Sequence, residues 1–200
     1  RGAIATTNFG SVSGDFSDAT TGSLKISHAS GVVKLITDQT LSFRTGTTVE
    51  GLKIDATGTV TMPLQPAFFA VPASDQSNFA VNSDVVVVFG TEKFDQNADF
   101  SSNTFTAPVT GKYQLNLVLA LLNVDSASGY YYAALNTSNL YISAWIDPDY
   151  GQDSSQLSIS MSVLADMDAN DTAVANVRQG NGTQQTDIDT ASYFSGFLVA

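Results

Sequence analysis

The sequence contains no cysteine, which excludes disulfide bonds and thiolate-bound metal as the interactions that hold the fold together. Positive charge is also scarce, because 8 Lys and Arg residues stand against 19 Asp and Glu residues and give a net charge of −11. Such a chain repels a nucleic-acid backbone and an anionic membrane surface. We therefore expect no nucleic-acid partner.

Long apolar runs and helical patterns are absent as well. The longest strongly apolar run covers residues 85–89, which is far too short to cross a bilayer, so we expect no membrane insertion. No window longer than about two turns keeps a helical period between start and stop signals, and we expect almost no helix. The sequence opens with Arg1 and without a charged-then-apolar signal segment, as expected of a processed product or a piece of a longer protein.

What the sequence does contain is typical of a β protein. Charged residues make up only 14% of the chain, and Ser, Thr, Asn, Gln and Gly take their place, whereas a helical protein needs more Ala, Leu, Glu and Lys on its surface. The 200 residues are enough to enclose a hydrophobic core. We predict an all-β protein made of one large domain or of one domain with an appendage.

The composition changes where Pro63 and Pro66 bracket a short segment, a pattern that commonly marks a boundary. The part before it is rich in Gly, Ser and Thr, and the part after it has longer apolar strands and more aromatic residues. We therefore divide the chain into residues 1–63, a linker at residues 64–66, and residues 67–200.

The first part consists of short runs in which apolar and polar residues alternate. This period of two indicates short strands with their apolar side chains on one side, at residues 23–27, 33–36 and 41–43. A pattern of strand, glycine turn and strand occurs twice, at residues 23–32 and 51–60. The segment has too few large apolar side chains to bury a core alone, so we expect it to associate with copies of itself.

The last part contains longer strands with fairly evenly spaced polar turns. Residues 112–119 alternate polar and apolar side chains, as a half-buried strand does. Further candidate strands lie at residues 67–70, 85–89, 104–106, 130–135, 140–146, 157–163, 173–177 and 192–199. Many short strands at regular spacing predict a β-sandwich or a jelly roll.

Three segments of the last part carry a specific pattern. They are residues 105–113 (FTAPVTGKY), 169–174 (ANDTAV) and 192–199 (SYFSGFLV). In the first segment, we expect Phe105 and Tyr113 to enter the core. Pro108 ends one strand because it has no N–H to donate, and Gly111 is expected to supply the turn conformation before the next strand.

These segments, together and in this order, resemble the globular head domain of complement component 1q, which shares its jelly roll with tumour necrosis factor. The resemblance covers residues 67–200, with a poorly matched middle at residues 123–155. Asn170 stands where the family usually has glycine, and Asn tolerates left-handed backbone. The resemblance implies a jelly roll of about ten strands that forms a homotrimer, binds ligands through surface loops and is not catalytic.

The repeat in the first part points to a different family. Residues 51–60 (GLKIDATGTV) are similar to the glycine-punctuated shafts of bacteriophage tail fibres, which implies that residues 1–63 form a trimeric β-shaft. A trimeric shaft and a trimeric head agree with each other, because one axis lets both bury strand edges and apolar faces. An animal relative would normally follow a collagen-like Gly-X-Y stretch, and none occurs here, so a phage origin is favoured.

Aromatic residues are the candidates for ligand binding. Tyr130, Tyr131 and Tyr132 are consecutive, and Tyr150 follows nearby. Exposed aromatic side chains stack on sugars and anchor protein interfaces, and this pattern predicts a ligand-binding surface. A position in the core or on the trimer axis explains the tyrosines equally well. We interpret Trp145 as a core or subunit-interface residue.

Catalytic and metal sites find little support in the sequence. His28 is the only histidine, so a Ser-His-Asp set would depend on it, and we predict no enzyme, no catalytic residue and no bound cofactor. Calcium is the one ion for which ligands are plausible. The candidate carboxylates are Asp147, Asp149, Asp166, Asp168 and Asp171. Turn formation and solubility explain them better than metal binding does.

These patterns lead to one hypothesis and three alternatives. We expect a trimeric fibre or spike protein of a bacteriophage virion, whose head attaches to a host cell-surface glycan or protein and whose other partners are virion proteins. Three weak sites on one axis would bind with avidity. The alternatives are a structural decoration or adaptor protein without receptor binding, a polysaccharide-degrading tailspike, and a secreted lectin-like binding protein.

Overall fold

The structure is a computed structural model that describes residues 40–45 and 49–200. The strands and the first copy of the repeat that were expected between residues 23 and 36, and also His28, lie outside the described residues. The described residues contain no helix, and thus none that could span a membrane. The prediction of an all-β fold is confirmed.

Fifteen strands form three sheets in the described part of the chain. In chain order they are β1 (Leu41–Thr45), β2 (Val49–Ile54), β3 (Val60–Thr61), β4 (Ala67–Val71), β5 (Val85–Val86), β6 (Thr91–Gln96), β7 (Phe100–Ser101), β8 (Thr104–Thr106), β9 (Gly111–Val124), β10 (Tyr130–Thr137), β11 (Tyr141–Ile146), β12 (Ser154–Met167), β13 (Thr172–Gly180), β14 (Asp187–Ile188) and β15 (Tyr193–Leu198). Every pairing between two of these strands is antiparallel.

The first sheet is a three-stranded meander in the order β1-β2-β3. The turn between β2 and β3 is organised by Asp55, whose Oδ1 accepts the backbone N–H groups of Thr57 at 2.8 Å and Thr59 at 2.9 Å. A short polar side chain that bonds the backbone two residues on is typical of such turns. The strand, turn and strand predicted for residues 51–60 are therefore present.

Residues 64–66, which were predicted to be a linker, are hydrogen-bonded to strands that follow them. The side-chain amide of Gln96 on β6 donates to the carbonyl oxygens of Met62 at 2.9 Å and Gln65 at 2.7 Å. The side-chain amide of Gln65 donates to the carbonyl oxygen of Leu198 on β15 at 2.7 Å. This segment is thus attached to two strands of the last part.

The other two sheets are the layers of a jelly-roll sandwich, as predicted. One has the strand order β11-β10-β13-β8-β7, with β5 paired to β13, and we call it the β10 sheet. The other has the order β12-β9-β15-β4-β6, with β14 paired to β9, and we call it the β9 sheet. Consecutive strands often lie in different sheets, so the core forms between segments that are distant in sequence.

The core between the two sheets follows from the alternation of side chains along each strand. On β9, the fully buried side chains are Tyr113, Leu115, Leu117, Leu119 and Leu121. A cluster of phenylalanines fills one end of the core. The ring of Phe68 stacks on Phe100 at 4.9 Å and on Phe105 at 4.8 Å, and it meets the edge of Phe194 at 4.9 Å. Each such buried side chain contributes about 1.5–3 kcal/mol.

The prediction for residues 105–113, which form the corner between β8 and β9, is confirmed for Phe105 and Tyr113 and wrong for Gly111. Phe105 and Tyr113 are fully buried with their ring centroids 5.4 Å apart, and the Tyr113 hydroxyl donates to the carbonyl oxygen of Val109 at 2.7 Å. Gly111, however, is the first residue of β9 and not a turn residue. A Cβ at Gly111 would lie 2.6 Å from Cδ1 of Leu198, so glycine is needed there for the close approach of the last strand.

Candidate ligand-binding surface

Three aromatic side chains lie together on the outer face of the β10 sheet. Successive side chains of a strand point to opposite faces, so Tyr130 and Tyr132 project outward while Tyr131 projects into the core. Trp145 projects from the neighbouring strand β11, directly opposite Tyr132. We call Tyr130, Tyr132 and Trp145 the aromatic cluster.

The rings of the aromatic cluster contact one another. The rings of Tyr130 and Tyr132 are parallel within 3°, with centroids 6.2 Å apart. The indole of Trp145 lies 4.9 Å from the Tyr130 ring and 4.6 Å from the Tyr132 ring, tilted by 45° and 44°. Trp145 is 56% exposed and Tyr132 only 5%. The indole therefore presents most of the accessible surface of the cluster, while Tyr130 is partly exposed.

Hydrogen bonds hold these rings in position. The indole N–H of Trp145 donates to Oγ of Ser143 at 2.7 Å. The hydroxyl of Tyr132 donates to the carboxylate of Asp84, and the same carboxylate accepts Nη1 of Arg178 at 3.2 Å. One face of the sheet thus combines an exposed ring with a carboxylate and a guanidinium.

The protonation of this group is set by burial and by the shared hydrogen bonds. Burial raises the pKa of Tyr132, and its hydrogen bond to Asp84 raises it further. The hydrogen bond from Tyr132 lowers the pKa of the Asp84 carboxyl, and Arg178 adds to that lowering. At neutral pH, Tyr132 is therefore a neutral donor and Asp84 an anion beside a cation.

Tyr131 does not belong to this surface. It is fully buried, its hydroxyl accepts the backbone N–H of Asp125 at 3.0 Å, and it shares a second hydrogen bond with Thr186 at 2.7 Å. A side chain on the inward face of β10 offers no surface to a ligand, which corrects the ligand-binding prediction for this residue. Its role is to pack in the core.

The two remaining aromatic residues considered in the sequence, Tyr150 and Trp145, lie in different parts of the structure. Tyr150 lies on the loop between β11 and β12 and is 52% exposed, but its ring is not one of the three that contact each other. Trp145, which was interpreted as a core or interface residue, is not in the core of this chain. Sequence reasoning did not assign Trp145, Asp84 or Arg178 to this surface, although the turn after β10 signals a hairpin that brings Trp145 opposite Tyr132.

The carboxylates considered for calcium make local hydrogen bonds. Asp166 forms an ion pair with Lys112 at 2.5 Å. The carboxylate of Asp171 accepts the backbone N–H of Asp168 at 2.9 Å and the side-chain amide of Asn139 at 2.6 Å. The bond between Asp168 and Asp171 closes the turn between β12 and β13, and the bond from Asn139 joins it to the turn between β10 and β11.

The other acidic segment, residues 147–149, and the left-handed position Asn170 in the turn between β12 and β13 behave as turn elements too. Oδ1 of Asp147 accepts the backbone N–H of Asp149 at 3.2 Å. Asn170 has a φ of 75°, the left-handed conformation expected at this position. Within residues 40–45 and 49–200, no three His, Cys, Asp or Glu side chains are grouped so that they could hold a metal ion.

A second notable surface lies on the outer face of the β9 sheet. The side chains that we call the apolar outer face are Phe69, Phe94, Leu164, Tyr193 and Phe197. The ring of Phe69 stacks on Phe94 at 6.2 Å and on Tyr193 at 5.2 Å. Phe94, Leu164 and Phe197 are 54%, 59% and 47% exposed. Gln114 on β9 lies between Leu164 and Phe197. Exposed apolar side chains gathered on one sheet face in this way indicate an interaction site.

The structure of this chain aligns with solved structures of other proteins at low sequence identity. The murine protein APRIL at pH 8.0 aligns with a TM-score of 0.50 and 9% identity, over 68% of this chain and 99% of that chain. The globular domain of zebrafish complement 1qA protein aligns with a TM-score of 0.49 and 19% identity, over 68% of this chain and 98% of that chain. The likeness to APRIL supports the jelly-roll fold alone. No curated protein matches the sequence.

A family comparison covers the last part of the chain. Residues 67–199 match the family model described as the C1q domain, which confirms the resemblance read from the sequence. The likeness of residues 1–63 to a phage shaft stays a prediction. Because the match covers more than half of the 200 residues, the chain belongs to the C1q domain family.

Proposed function

We propose that the chain is the distal part of a homotrimeric fibre or spike of a bacteriophage virion, and that its head attaches the virion to a host cell. Domains of the C1q and tumour necrosis factor kind commonly form homotrimers and bind partners. They are known as binding or structural domains, and the proposal involves no catalysis. Its partners are other virion proteins and a host cell-surface glycan or protein.

The observation that carries the proposal is that two distinct surfaces lie on opposite sheets. The apolar outer face belongs to the β9 sheet, and the aromatic cluster belongs to the β10 sheet. Association through the apolar outer face removes it from water, which is favourable by about 25 cal/mol per Å² of apolar area. The aromatic cluster of each copy then stays accessible, and three copies on one axis bind a cell surface with avidity.

The small β1-β2-β3 sheet supports association in the first part of the chain. Its exposed apolar side chains include Phe43, Val49 and Val60, and Met62 follows directly after it. Covering these side chains in an assembly removes their apolar area from water, which is favourable. Copies of the same sheet would cover these side chains, as a shaft built from residues 1–63 requires.

The assembly is tested by the native mass of the full chain in light scattering, followed on dilution. We expect three times the chain mass. Phe197→Asp puts a charge on the apolar outer face and should make the trimer dissociate at a higher protein concentration. Trp145→Ser removes a similarly exposed aromatic ring from the other sheet, is the matched control, and should leave dissociation unchanged. A monomer at every concentration would refute the trimer.

The attachment function is tested by retention of the labelled full chain on a panel of intact bacteria and by antibody labelling of intact virions. Retention together with labelled particles supports the proposal. The aromatic cluster also favours a second candidate, a secreted lectin-like protein, because it suits ligand binding in any location. Retention on cells without labelling of virions would identify that candidate. Labelled virions without retention would identify a structural decoration or adaptor.

A further inference from the structure

We propose that the aromatic cluster binds a neutral carbohydrate, with the indole of Trp145 as the surface on which a sugar ring stacks. Tyr130 and Tyr132 support the indole, and Asp84 with Arg178 supplies polar groups on the other side of Tyr132, toward β13. The inference rests on the proposed attachment function and adds the chemical class of the ligand to it.

Trp145 presents a ring on a rigid support. It is 56% exposed although both tyrosines pack against it. Its N–H is already bonded to Ser143, so the indole is held in one orientation and interacts with a ligand through its ring. A pyranose has an apolar face of C–H groups that packs on such a ring. Because few side chains need to be ordered on binding, little entropy is lost.

Asp84 and Arg178 place hydrogen-bonding groups next to the rings. Their ion pair spans 3.2 Å, and 48% of the Asp84 side chain and 28% of the Arg178 side chain are exposed. Carboxylate oxygens accept hydrogen bonds and guanidinium N–H groups donate them, whereas a sugar hydroxyl does both. An apolar surface with a few fixed polar groups is the usual make-up of a small-ligand site.

Charge distinguishes between classes of carbohydrate. Asp84 and Arg178 compensate each other at the site, so the cluster offers no excess positive charge to an anion. The whole chain carries a net charge of −11 and repels polyanions at long range. An acidic polysaccharide is therefore disfavoured, and a neutral one fits.

The surroundings of the cluster favour a small ligand over a protein partner. Beyond the cluster, the outward positions of β10 and β11 hold Ala134, Asn136, Ser143 and Tyr141, of which only the tyrosine is large. A stable protein interface covers about 800 Å² on each partner and buries several large anchors. The apolar outer face presents several large exposed side chains, whereas Trp145 is the one exposed large side chain of the cluster.

The site can be tested directly because Trp145 is the only tryptophan in the chain. The intrinsic fluorescence of the full chain is followed during titration with neutral oligosaccharides of glucose, galactose, mannose and N-acetylglucosamine, and with oligosaccharides that contain sialic or uronic acid. We expect a saturable change with at least one neutral oligosaccharide. By calorimetry, Trp145→Ala should weaken that binding at least about tenfold. Tyr150→Ala removes an equally exposed aromatic ring outside the cluster and should leave the affinity unchanged.

Three results would overturn the inference. The first is no response to any neutral oligosaccharide, and the second is a response to acidic ones alone. The third is an unchanged affinity in both Trp145→Ala and Tyr130→Ala, with thermal unfolding like that of the unchanged chain. Cell retention separates this inference from the attachment function. If the chain binds an oligosaccharide but is not retained on cells, the carbohydrate site is supported and the attachment function is refuted. If the chain is retained on cells but binds no oligosaccharide, the attachment function is supported and the carbohydrate site is refuted.

Discussion

Tyr132 and Trp145 are direct cross-strand partners in the β10–β11 hairpin, and their ring centroids lie 4.6 Å apart. Aromatic pairs contribute about 0.5–1.5 kcal/mol beyond the area they bury. The pair therefore stabilises the hairpin and also fixes the exposed indole on a regular strand. A binding surface built in this way is more rigid than one built on a loop, which lowers the entropy lost when a ligand binds.

The position of Tyr130 depends on Gly180 of β13, where an added Cβ would overlap the tyrosine ring. Gly180→Ala should displace this ring from Trp145, because a half-exposed ring moves more easily than a central strand. We expect an altered near-UV circular dichroism spectrum and a loss of about 1 kcal/mol in the free energy of unfolding. At Gly51, the nearest atom to an added Cβ is 3.7 Å away, so Gly51→Ala is the control. An unaltered spectrum for Gly180→Ala would contradict the proposed packing.

The assignment of Tyr131 to the core is tested by removing its hydroxyl. Tyr131→Phe leaves the buried N–H of Asp125 without its 3.0 Å acceptor, which costs about 1–3 kcal/mol. We expect a lower midpoint of urea unfolding and an unchanged affinity for oligosaccharides. Tyr150→Phe alters an exposed ring and should change neither quantity. If Tyr131→Phe bound oligosaccharides more weakly at unchanged stability, Tyr131 would take part in ligand binding after all.

Alternation of side chains made the long strands of the jelly roll predictable. Residues 112–119 show the pattern in sequence, and they lie within β9, whose inward side chains are all buried. The apolar run at residues 85–89 was less informative. Only Val85–Val86 pairs as a strand, while Val87 and Phe89 are buried without belonging to one. A continuous apolar run indicates burial but does not reveal strand pairing.

The candidate binding surface was only partly predictable, for a physical reason. Asp84, Tyr132 and Arg178 are far apart in sequence and meet because β13 lies beside β10. Such pairing depends on the register of the whole sheet, which no local pattern encodes. The position of Trp145 was easier to predict. Counting the same number of residues back and forward from the turn between β10 and β11 pairs Trp145 with Tyr132.

Gly196 on β15 is expected to be among the least replaceable residues of the head. A Cβ there would lie 2.7 Å from Cδ2 of Leu115 and 2.8 Å from Cε1 of Phe68, and both side chains are fully packed in the core. Gly196→Ala should lower the free energy of unfolding by about 1–3 kcal/mol in urea denaturation. At the exposed Gly129, an added Cβ stays 3.5 Å from its nearest neighbour, so Gly129→Ala is the matched control. Equal stability of the two variants would show that the core accommodates the extra methyl group.

Asp99 should make the head less stable as the pH rises. Burial raises the pKa of its carboxyl, and the nearby Asp95 carboxylate raises it further. Its Oδ2 is buried without a hydrogen-bond partner among the described residues. The folded state therefore favours the protonated form, and stability is lost as the pH rises from the unfolded pKa of about 3.9 through the higher folded pKa.

Urea unfolding of Asp99→Asn between acid and neutral pH measures this loss. The variant should become more stable than the unchanged chain as the pH rises, because it has no charge to bury, and the gain should vanish at acid pH. Asp153 is the matched opposite, since hydrogen bonds from Gln185 at 2.9 Å and from Ser126 at 3.0 Å lower its pKa. Asp153→Asn should therefore lose stability at neutral pH relative to acid pH. If both variants changed in the same direction, the difference between a buried carboxylate and a hydrogen-bonded one would not control the stability of this head.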